Sequence, residues 1–337
     1  MRIALVAAPW LPVPPTAYGG SEAVIDRLAT GFVEAGHEVL LVTTGDSTCP
    51  VPRAWVRAQS DLDLLGQTVI ELQHLIHAYD QVADFDIIHD HTTLGPVYAQ
   101  GRCRGQVVTT NHGVFSTEVN EIYARVVPPV SLIAISHDHA SRSAVPVSAV
   151  IHHGLRPDEY PEGSGDGDHL LFLGRFSPDK GAREAALAAH EAGVELVLAA
   201  KMREPGEIAY FHEQVEPLLD SRVRYEGEVG KERKTELLGS ARALLNPIRW
   251  PEPFGLVMIE ALACGTPVLT LPWGAAPEIV DDGITGFVCD SDDDLVAAIG
   301  RIGELDRADC RNAAETRFSA ARMVRDHLDL YERLLGR

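Results

Sequence analysis

The stretch LLFLGRFSPDKGAREAALAAHEAGVELVLAAK, residues 170–201, contains a complete strand, helix and strand pattern. Its first segment, LLFLGR, is a continuous apolar run of the kind found in strands that are buried on both faces of a parallel sheet. The segment AREAALAAHEAG is an alanine-rich helix pattern that ends at a glycine, and VELVLAAK is a second buried strand. Because parallel strands need a crossover between them, this stretch predicts a βαβ unit.

The same alternation extends in both directions along the chain. After residue 201 it continues through helices FHEQVEPLLD, KERKTELLGSA and GLVMIEALAC and strands RVRYEGEV, ALLNPI, TPVLTLP and GFVC. The first half holds strands RIALVAAPW, HEVLLVTT, FDIIHDH, GQVVTTNH, SLIAIS and SAVIHHG, with helices SEAVIDRLATGFVEA and DLLGQTVIELQHLIHAY. The sequence therefore predicts an α/β fold with two doubly wound parallel sheets.

Proline, glycine and aspartate crowd the segment GLRPDEYPEGSGDGDH, residues 154–169, which is typical of a linker. The chain has 337 residues, more than the roughly 250 to 300 at which one hydrophobic core usually stops growing. We expect an N-terminal domain at residues 1–158 and a C-terminal domain at 159–318. The amphipathic end of the chain, 319–337, is expected to form a helix that packs back on the first domain.

Composition limits the classes of partner. The chain has 29 Lys plus Arg against 49 Asp plus Glu, a net charge of −20, which disfavours binding to nucleic acid or to an anionic membrane surface. No apolar segment approaches the ~20 residues of a membrane span. Five scattered cysteines without a Cys-x-x-Cys pair indicate a reducing compartment. We expect a cytoplasmic protein without stable membrane association.

The segment WPEPFGLVMIEALACGTPVLTLP, residues 250–272, places two acids in an apolar setting. Flanking prolines hold Glu252 in a loop, and Glu260 lies about one and a half turns into the following helix. The helix start offers the backbone N–H groups of Phe254, Gly255 and Leu256. Such a start binds anions, so this segment could hold a phosphate while its carboxylates accept hydrogen bonds from sugar hydroxyls. The alternative is that Glu260 only reaches solvent from a polar helix face.

Two cations, Arg175 and Lys180, follow the strand LLFLGR. At the carboxyl end of a parallel strand they could hold a diphosphate and stabilise its charge as it leaves. The alternative is a pair of solvated surface cations.

Together GRFSPDKG and EPFGLVMIEALACGTPV, with two acids separated by seven residues, resemble the retaining glycosyltransferases of family four. Supporting segments are YGGSE, TNHG at 110–113 and GAAPEIVDDGITGFV at 274–288. The resemblance spans nearly the whole chain and implies the GT-B architecture, in which two Rossmann-like domains face each other across a cleft. The compact length and the segment PPTAYGGSE are most similar to the transferases of avilamycin-type antibiotic assembly.

The resemblance implies a role for each matching position. Arg175 and Lys180 would contact the nucleotide diphosphate, and Glu260 would accept the ribose hydroxyls. Glu252, with the three amides of the helix start, would address the donor sugar and distal phosphate.

Other positions complete the implied donor site. Gly19 and Gly20 would let the backbone close over the phosphate, and Gly227 and Glu228 in EGEVG would meet the base. His112 would lie beside the donor sugar. Its alternative is a hydrogen-bonded histidine at a strand end.

The implied reaction is retaining transfer of a sugar, with a UDP-sugar favoured as donor, to a soluble small-molecule or oligosaccharide acceptor. Attack from the same face, with the leaving phosphate taking the acceptor's proton, requires no dedicated base, cofactor or metal. The segments HDH (89–91), DFD and SDDD (291–294) are interpreted as structural, SDDD as a helix cap. Two alternatives stay open: a nucleotide-sugar epimerase or hydrolase of similar architecture, and a non-catalytic nucleotide-sugar-binding protein.

Overall fold

A computed structural model describes residues 1–16 and 19–336, and the chain divides into two α/β units. Unit 1 contains Met1–Gly154 and Ala320–Arg337, and unit 2 contains Leu155–Ser319. The sequence predicted domain boundaries after residues 158 and 318. Ala17 and Tyr18, which belong to the AYGGSE segment, and Arg337 lie outside the described residues.

Unit 1 is built on a seven-stranded parallel sheet with the order β3-β2-β1-β4-β5-β6-β7. Its strands are β1 (Arg2–Val6), β2 (Glu38–Thr43), β3 (Arg53–Trp55), β4 (Ile87–Asp90), β5 (Gln106–Thr110), β6 (Ser131–Ala134) and β7 (Ala149–Val150). The strand order reverses between β1 and β4, the kind of position at which open α/β sheets bind ligands at their carboxyl ends.

Six helices accompany this sheet: α1 (Gly20–Glu34), α2 (Thr68–Val82), α3 (Gly95–Tyr98), α4 (Thr117–Val126), α5 (His137–Ser141) and α13 (Ala320–Leu334) in the described residues. The prediction that α2 would include DLLGQ was wrong. Residues Leu62–Leu64 form a separate 3₁₀ turn, which the side chain of Asp61 caps by accepting from the Asp63 N–H. Gly66, at φ 79°, then adopts a left-handed conformation that ends this turn before α2 begins.

The C-terminal helix α13 belongs to unit 1 and packs against α1. Its buried face includes Val324 and Tyr331. The ring of Tyr331 lies 5.6 Å from that of Phe32, and Val324 lies over Gly31 of α1. The amphipathic pattern of the last segment therefore serves to bury this helix against the first sheet's helical layer.

Unit 2 is built on a six-stranded parallel sheet with the order β10-β9-β8-β11-β12-β13. Its strands are β8 (His169–Arg175), β9 (Glu195–Lys201), β10 (Val223–Gly227), β11 (Leu244–Asn246), β12 (Val268–Thr270) and β13 (Gly286–Val288). The βαβ unit predicted from residues 170–201 is present, with β8 and β9 paired in parallel along their whole length.

Its helices are α6 (Ala182–Ala192), α7 (Pro205–Tyr210), α8 (Lys231–Ser240), α9 (Leu256–Ala263), α10 (Ala276–Ile279), α11 (Asp292–Ile299) and α12 (Arg307–Arg317). The expectation of one helix over FHEQVEPLLD was wrong, because α7 begins earlier and continues as a π turn and a 3₁₀ turn. Pro217 lacks the N–H that a regular helix would need there. Across the described residues, we find no helix with the length and apolar character required to cross a membrane.

Candidate functional site

The carboxyl ends of neighbouring strands in unit 2 bring several predicted residues to one edge of the sheet. Arg175 is the last residue of β8 and pairs in register with Lys201, the last residue of β9. Gly227 ends β10, and β11 leads into the loop that contains Glu252. Because the strands are parallel, these ends share one edge, where open α/β sheets place their ligands.

Lys180 and Glu252 form an ion pair although they are 72 residues apart in sequence. Their side chains are 15% and 19% exposed, so both charges are largely withdrawn from water. The Lys180 ammonium also lies 5.4 Å from the centre of the Trp250 ring. The Glu252 carbonyl accepts from the Ala275 N–H at 3.0 Å, which fixes the loop. The structure thus joins a cation and an acid that the sequence placed in separate motifs.

Arg175 is held by residues of its own loop. Its guanidinium donates to the carboxylate of Asp179 at 3.2 Å and to the hydroxyl of Ser177 at 3.3 Å. Burial alone would raise the pKa of Asp179, but the hydrogen bond from Ser177 and the charge of Arg175 outweigh it and lower that pKa. Arg175 is therefore oriented by a charged partner.

Helix α9 begins at Leu256, after Gly255 with φ 95°. The left-handed conformation at Gly255 favours glycine and turns the loop sharply into the helix. Phe254 is buried and packs on the ring of Phe318. The sequence predicted a start near Phe254 or Gly255, and Gly255 is the N-cap.

Glu260 lies in the second turn of α9 and is only 12% exposed as a side chain. Its Oε1 accepts from Lys234 Nζ at 2.6 Å and from the Tyr160 hydroxyl at 3.0 Å. Glu260 is therefore a held carboxylate and not a solvated residue on a polar helix face. Sequence reasoning missed Lys234 and Tyr160, since a lysine in KERKTELL has the pattern of any exposed helix.

Gly227 and Glu228 lie at the end of β10. Gly227 has φ 93°, and the pairing with β9 is irregular between Tyr225 and Gly227. The Glu228 carboxylate forms two hydrogen bonds of 2.9 Å with the guanidinium of Arg203. No motif in the sequence indicated Arg203, which is brought to Glu228 by the turn after β9.

In unit 1, His112 lies just after β5 and belongs to a group of neighbouring histidines. Its Nε2 is 2.9 Å from Nδ1 of His91, and its ring stacks on that of His153 with centroids 5.2 Å apart. Burial lowers the pKa of His112 to about 3. At neutral pH the His112 ring is therefore uncharged.

Gly19 and Gly20 precede and begin α1. Gly19 is extended, with φ 168°, but a Cβ there would lie 2.6 Å from that of Pro15. Close packing against the proline loop therefore restricts this position to glycine. Glu22, two residues later, is buried, and its burial raises the pKa of the carboxyl group.

The motifs interpreted as structural have protein partners. His89 is fully buried between the Thr110 hydroxyl and the Tyr331 hydroxyl, both at 2.7 Å. The Ser291 side chain caps α11 by accepting from the Asp294 N–H, which confirms that prediction. Within residues 1–16 and 19–336, no group of three or more His, Cys, Asp or Glu side chains is arranged to hold a metal ion.

Two models of known protein families match this chain. Residues 18–159 match the family model described as Glycosyltransferase Family 4, and residues 167–304 match the one described as Glycosyl transferases group 1. The chain belongs to the family-four glycosyltransferases. The two matches follow one another along the chain, so the predicted membership of family four is confirmed.

Solved structures of similar proteins show the same fold. AviGT4, a glycosyltransferase involved in avilamycin A biosynthesis, is 28% identical to this glycosyltransferase with a TM-score of 0.75, over 99% of this chain and 98% of that one. Anabaena HepE, crystallised with UDP and glucose, is 20% identical with a TM-score of 0.78, over 98% of each chain. The predicted GT-B fold class is confirmed.

Among curated relatives, the phosphatidyl-myo-inositol mannosyltransferase of Mycolicibacterium smegmatis is 24% identical. The alignment covers 91% of this glycosyltransferase and 85% of the mannosyltransferase. The similarity therefore extends over both units and is not restricted to one motif.

Proposed function

We propose that this glycosyltransferase moves a sugar from a nucleoside diphosphate donor to a soluble acceptor with retention of configuration and without a metal ion. The observation that supports this most directly is the Lys180–Glu252 ion pair at the strand-end edge of unit 2, where Arg175 also ends its strand. A site with two cations and an acid suits a donor that carries a diphosphate and a hydroxyl-rich sugar.

The proposed chemistry follows from the charges of the leaving group. Departure of the diphosphate creates an oxocarbenium-like sugar and an anion, so positive charge on the leaving group lowers the barrier. In the proposal, the Lys180 ammonium leaves the Glu252 carboxylate and pairs with a phosphate oxygen when the donor binds. The Glu252 carboxylate then accepts a hydrogen bond from a hydroxyl of the donor sugar. The backbone N–H groups at the start of α9, those of Phe254, Gly255 and Leu256, assist at the distal phosphate.

Glu260 is assigned to the ribose. Lys234 and Tyr160 both donate to its Oε1, which fixes the carboxylate before the nucleotide arrives. A preoriented carboxylate binds a diol with a smaller loss of side-chain entropy than a mobile one. Gly227 and Glu228, at the end of β10, are assigned to the base.

The residues of unit 1 complete the assignment. Gly19 and Gly20 are assigned to the distal phosphate, and His112, uncharged at neutral pH, is assigned to a hydroxyl of the donor sugar. The acceptor attacks from the face that the diphosphate leaves, and a phosphate oxygen takes its proton. No dedicated base or cofactor takes part in this scheme.

The proposed classes of donor and acceptor are suggested by what similar proteins bind and make. UDP is favoured because HepE, which shares the fold, was crystallised with UDP and glucose. A soluble acceptor, such as an oligosaccharide or an antibiotic intermediate, is favoured because AviGT4 acts in avilamycin A biosynthesis and this chain carries a net charge of −20. Product analysis with and without acceptor separates transfer from epimerisation, from hydrolysis and from binding alone.

The test of the nucleotide site is calorimetric titration of UDP, GDP, ADP and dTDP in the presence of EDTA. We expect one nucleotide, UDP, to bind the wild type, and Glu260→Ala to weaken it roughly ten- to a hundredfold, the loss of hydrogen bonds to a charged group. The matched control is Glu191→Ala, an exposed glutamate on α6 of the same unit. If no nucleotide binds, or if both variants bind alike, the proposal fails.

A further inference from the structure

The His112 ring has one hydrogen-bond partner among residues 1–16 and 19–336, the Nδ1 atom of His91 at 2.9 Å. Burial lowers the pKa of both rings, to about 3 for His112. Each neutral imidazole carries a single N–H, so one nitrogen of this pair donates and the other is a bare acceptor. Two arrangements are possible, and they leave different tautomers at His112.

The other nitrogen of His91 distinguishes the two arrangements. His91 Nε2 is buried and finds no hydrogen-bond partner in the described part of the chain. If His112 donated to His91 Nδ1, the single proton of His91 would lie on this buried Nε2 as an unpaired N–H. In protein backbones, unpaired buried N–H groups are rarer than under-satisfied acceptors, and we apply the same order to the nitrogens of this ring. The proton of His91 therefore belongs on Nδ1, where it has a partner.

We infer that His91 is a positioning residue that donates to Nε2 of His112 and thereby fixes His112 in the tautomer that carries its proton on Nδ1. The His153 ring, stacked on His112 with an interplanar angle of 24°, restrains the same side chain from its face. The bond and the stack together set both the rotamer and the tautomer of His112.

The functional consequence rests on the proposed function. With Nε2 occupied by His91, His112 offers a neutral Nδ1–H donor, which suits an oxygen of the donor sugar as hydrogen-bond acceptor. The opposite tautomer would present a bare Nδ1 and could only accept. His91 would thus decide what His112 can offer, although it need not touch the substrate.

The test is a long-range ¹H–¹⁵N correlation spectrum of the histidine-labelled protein without nucleotide, at pH 7.5. The structure supplies reference tautomers, because a carbonyl oxygen can only accept. His74 Nε2 and His139 Nε2 lie 2.9 and 2.8 Å from the carbonyls of Ala7 and Gly113, and His327 Nδ1 lies 2.8 Å from that of Met323. His112, assigned from the cross-peaks lost in His112→Gln, should show the pattern of His327. The pattern of His74 would overturn the inference.

Variants at position 91 test the role of the partner. His91→Leu removes the donor, so we expect both tautomers of His112, with kcat/KM for the proposed transfer lowered roughly ten- to a hundredfold and nucleotide affinity unchanged. His91→Asn carries an amide N–H close to the place of Nδ1 and should restore the single tautomer and much of the activity. An unchanged tautomer in His91→Leu would contradict the inference. Because the spectrum needs no substrate, failure of the proposed function would leave the tautomer result standing.

Discussion

At the scale of single residues, the Lys180–Glu252 pair differs from most ion pairs of this chain because both side chains are less than one-fifth exposed. A matched pair, Lys231 and Glu159, is also 72 residues apart and joined at 2.7 Å, but its side chains are 53% and 36% exposed. Removing one member of a buried pair leaves a charge without a partner, whereas an exposed charge is resolvated by water.

We therefore expect Lys180→Met to lower the free energy of unfolding by about 1–3 kcal/mol and Lys231→Met by less than ~0.5 kcal/mol. Adding Glu252→Gln to Lys180→Met removes the orphaned charge, so the double variant should be more stable than the sum of the single changes by about 0.5–3 kcal/mol. Urea unfolding curves measure the free energies of the single and double variants, provided that the dependence of the unfolding free energy on urea concentration is the same for all of them. Strict additivity would show that the two side chains are not coupled.

At the scale of elements, the contact of α1 with α13 depends on a glycine. Gly31 lies in the interior of α1, where replacement by alanine ordinarily stabilises a helix by about 1 kcal/mol. Here a Cβ at Gly31 would overlap the Cγ2 methyl of Val324. Valine has a single side-chain torsion and cannot move aside freely, so steric overlap reverses the expected sign.

Gly31→Ala should lower the melting temperature of the wild type and raise it in a Val324→Ala background, where the methyl is absent. The control is Gly206→Ala in α7, because a Cβ at Gly206 meets no atom within 4 Å. We expect that variant to melt at or above the wild-type temperature. Stabilisation by Gly31→Ala in both backgrounds would show that α13 does not pack on α1 as described.

At the scale of the whole molecule, the sequence predicted what depends on local pattern. The described strands were predicted from their local sequence pattern, except for β3, a three-residue strand at the edge of the first sheet. Arg175, Lys180 and Glu252 were singled out in loops at strand ends, and Glu260 in the helix that follows. The partners that hold those residues were missed, because Tyr160 meets Glu260 and His91 meets His112 only through the tertiary fold. Helix α2 and the segment after α7 were misjudged where a glycine or a proline interrupted an apolar pattern.

A further whole-chain property is the uneven distribution of buried histidines. Unit 1 holds the histidines whose pKa burial lowers most strongly, namely His74, His89, His91, His112, His139, His153 and His327. In unit 2, His169 is the described histidine with a lowered pKa, again chiefly through burial. Asp90 has the opposite effect on the pH dependence of stability. Burial raises the pKa of its carboxyl group to about 6, so below that pH the folded state binds a proton at Asp90.

The sign of the pH dependence follows from these shifts. In the unfolded chain a histidine has a pKa of about 6.5, so it binds a proton below that pH. The buried rings of the folded chain stay neutral until a lower pH, because burial lowers their pKa, to about 4 for His74. Stability is therefore present at neutral pH and falls as the pH drops. Each such histidine contributes about 1.4 kcal/mol per pH unit in that window. Between pH 7.5 and 5.5, hydrogen-exchange free energies should fall more for β4 and β5 than for β8 and β9, because unit 2 has a single described histidine, His169, with a lowered pKa.

One substitution isolates the contribution of a single ring. His74 Nε2 donates to the carbonyl of Ala7 at 2.9 Å and the side chain is fully buried. Glutamine places an amide N–H near the same position and does not titrate, so His74→Gln should keep the contact while removing one proton from the linkage. We expect the loss of stability of unit 1 between pH 7.5 and 5.5 to shrink by about 1.4 kcal/mol. An identical pH dependence in His74→Gln and the wild type would mean that His74 is protonated equally in the folded and unfolded states.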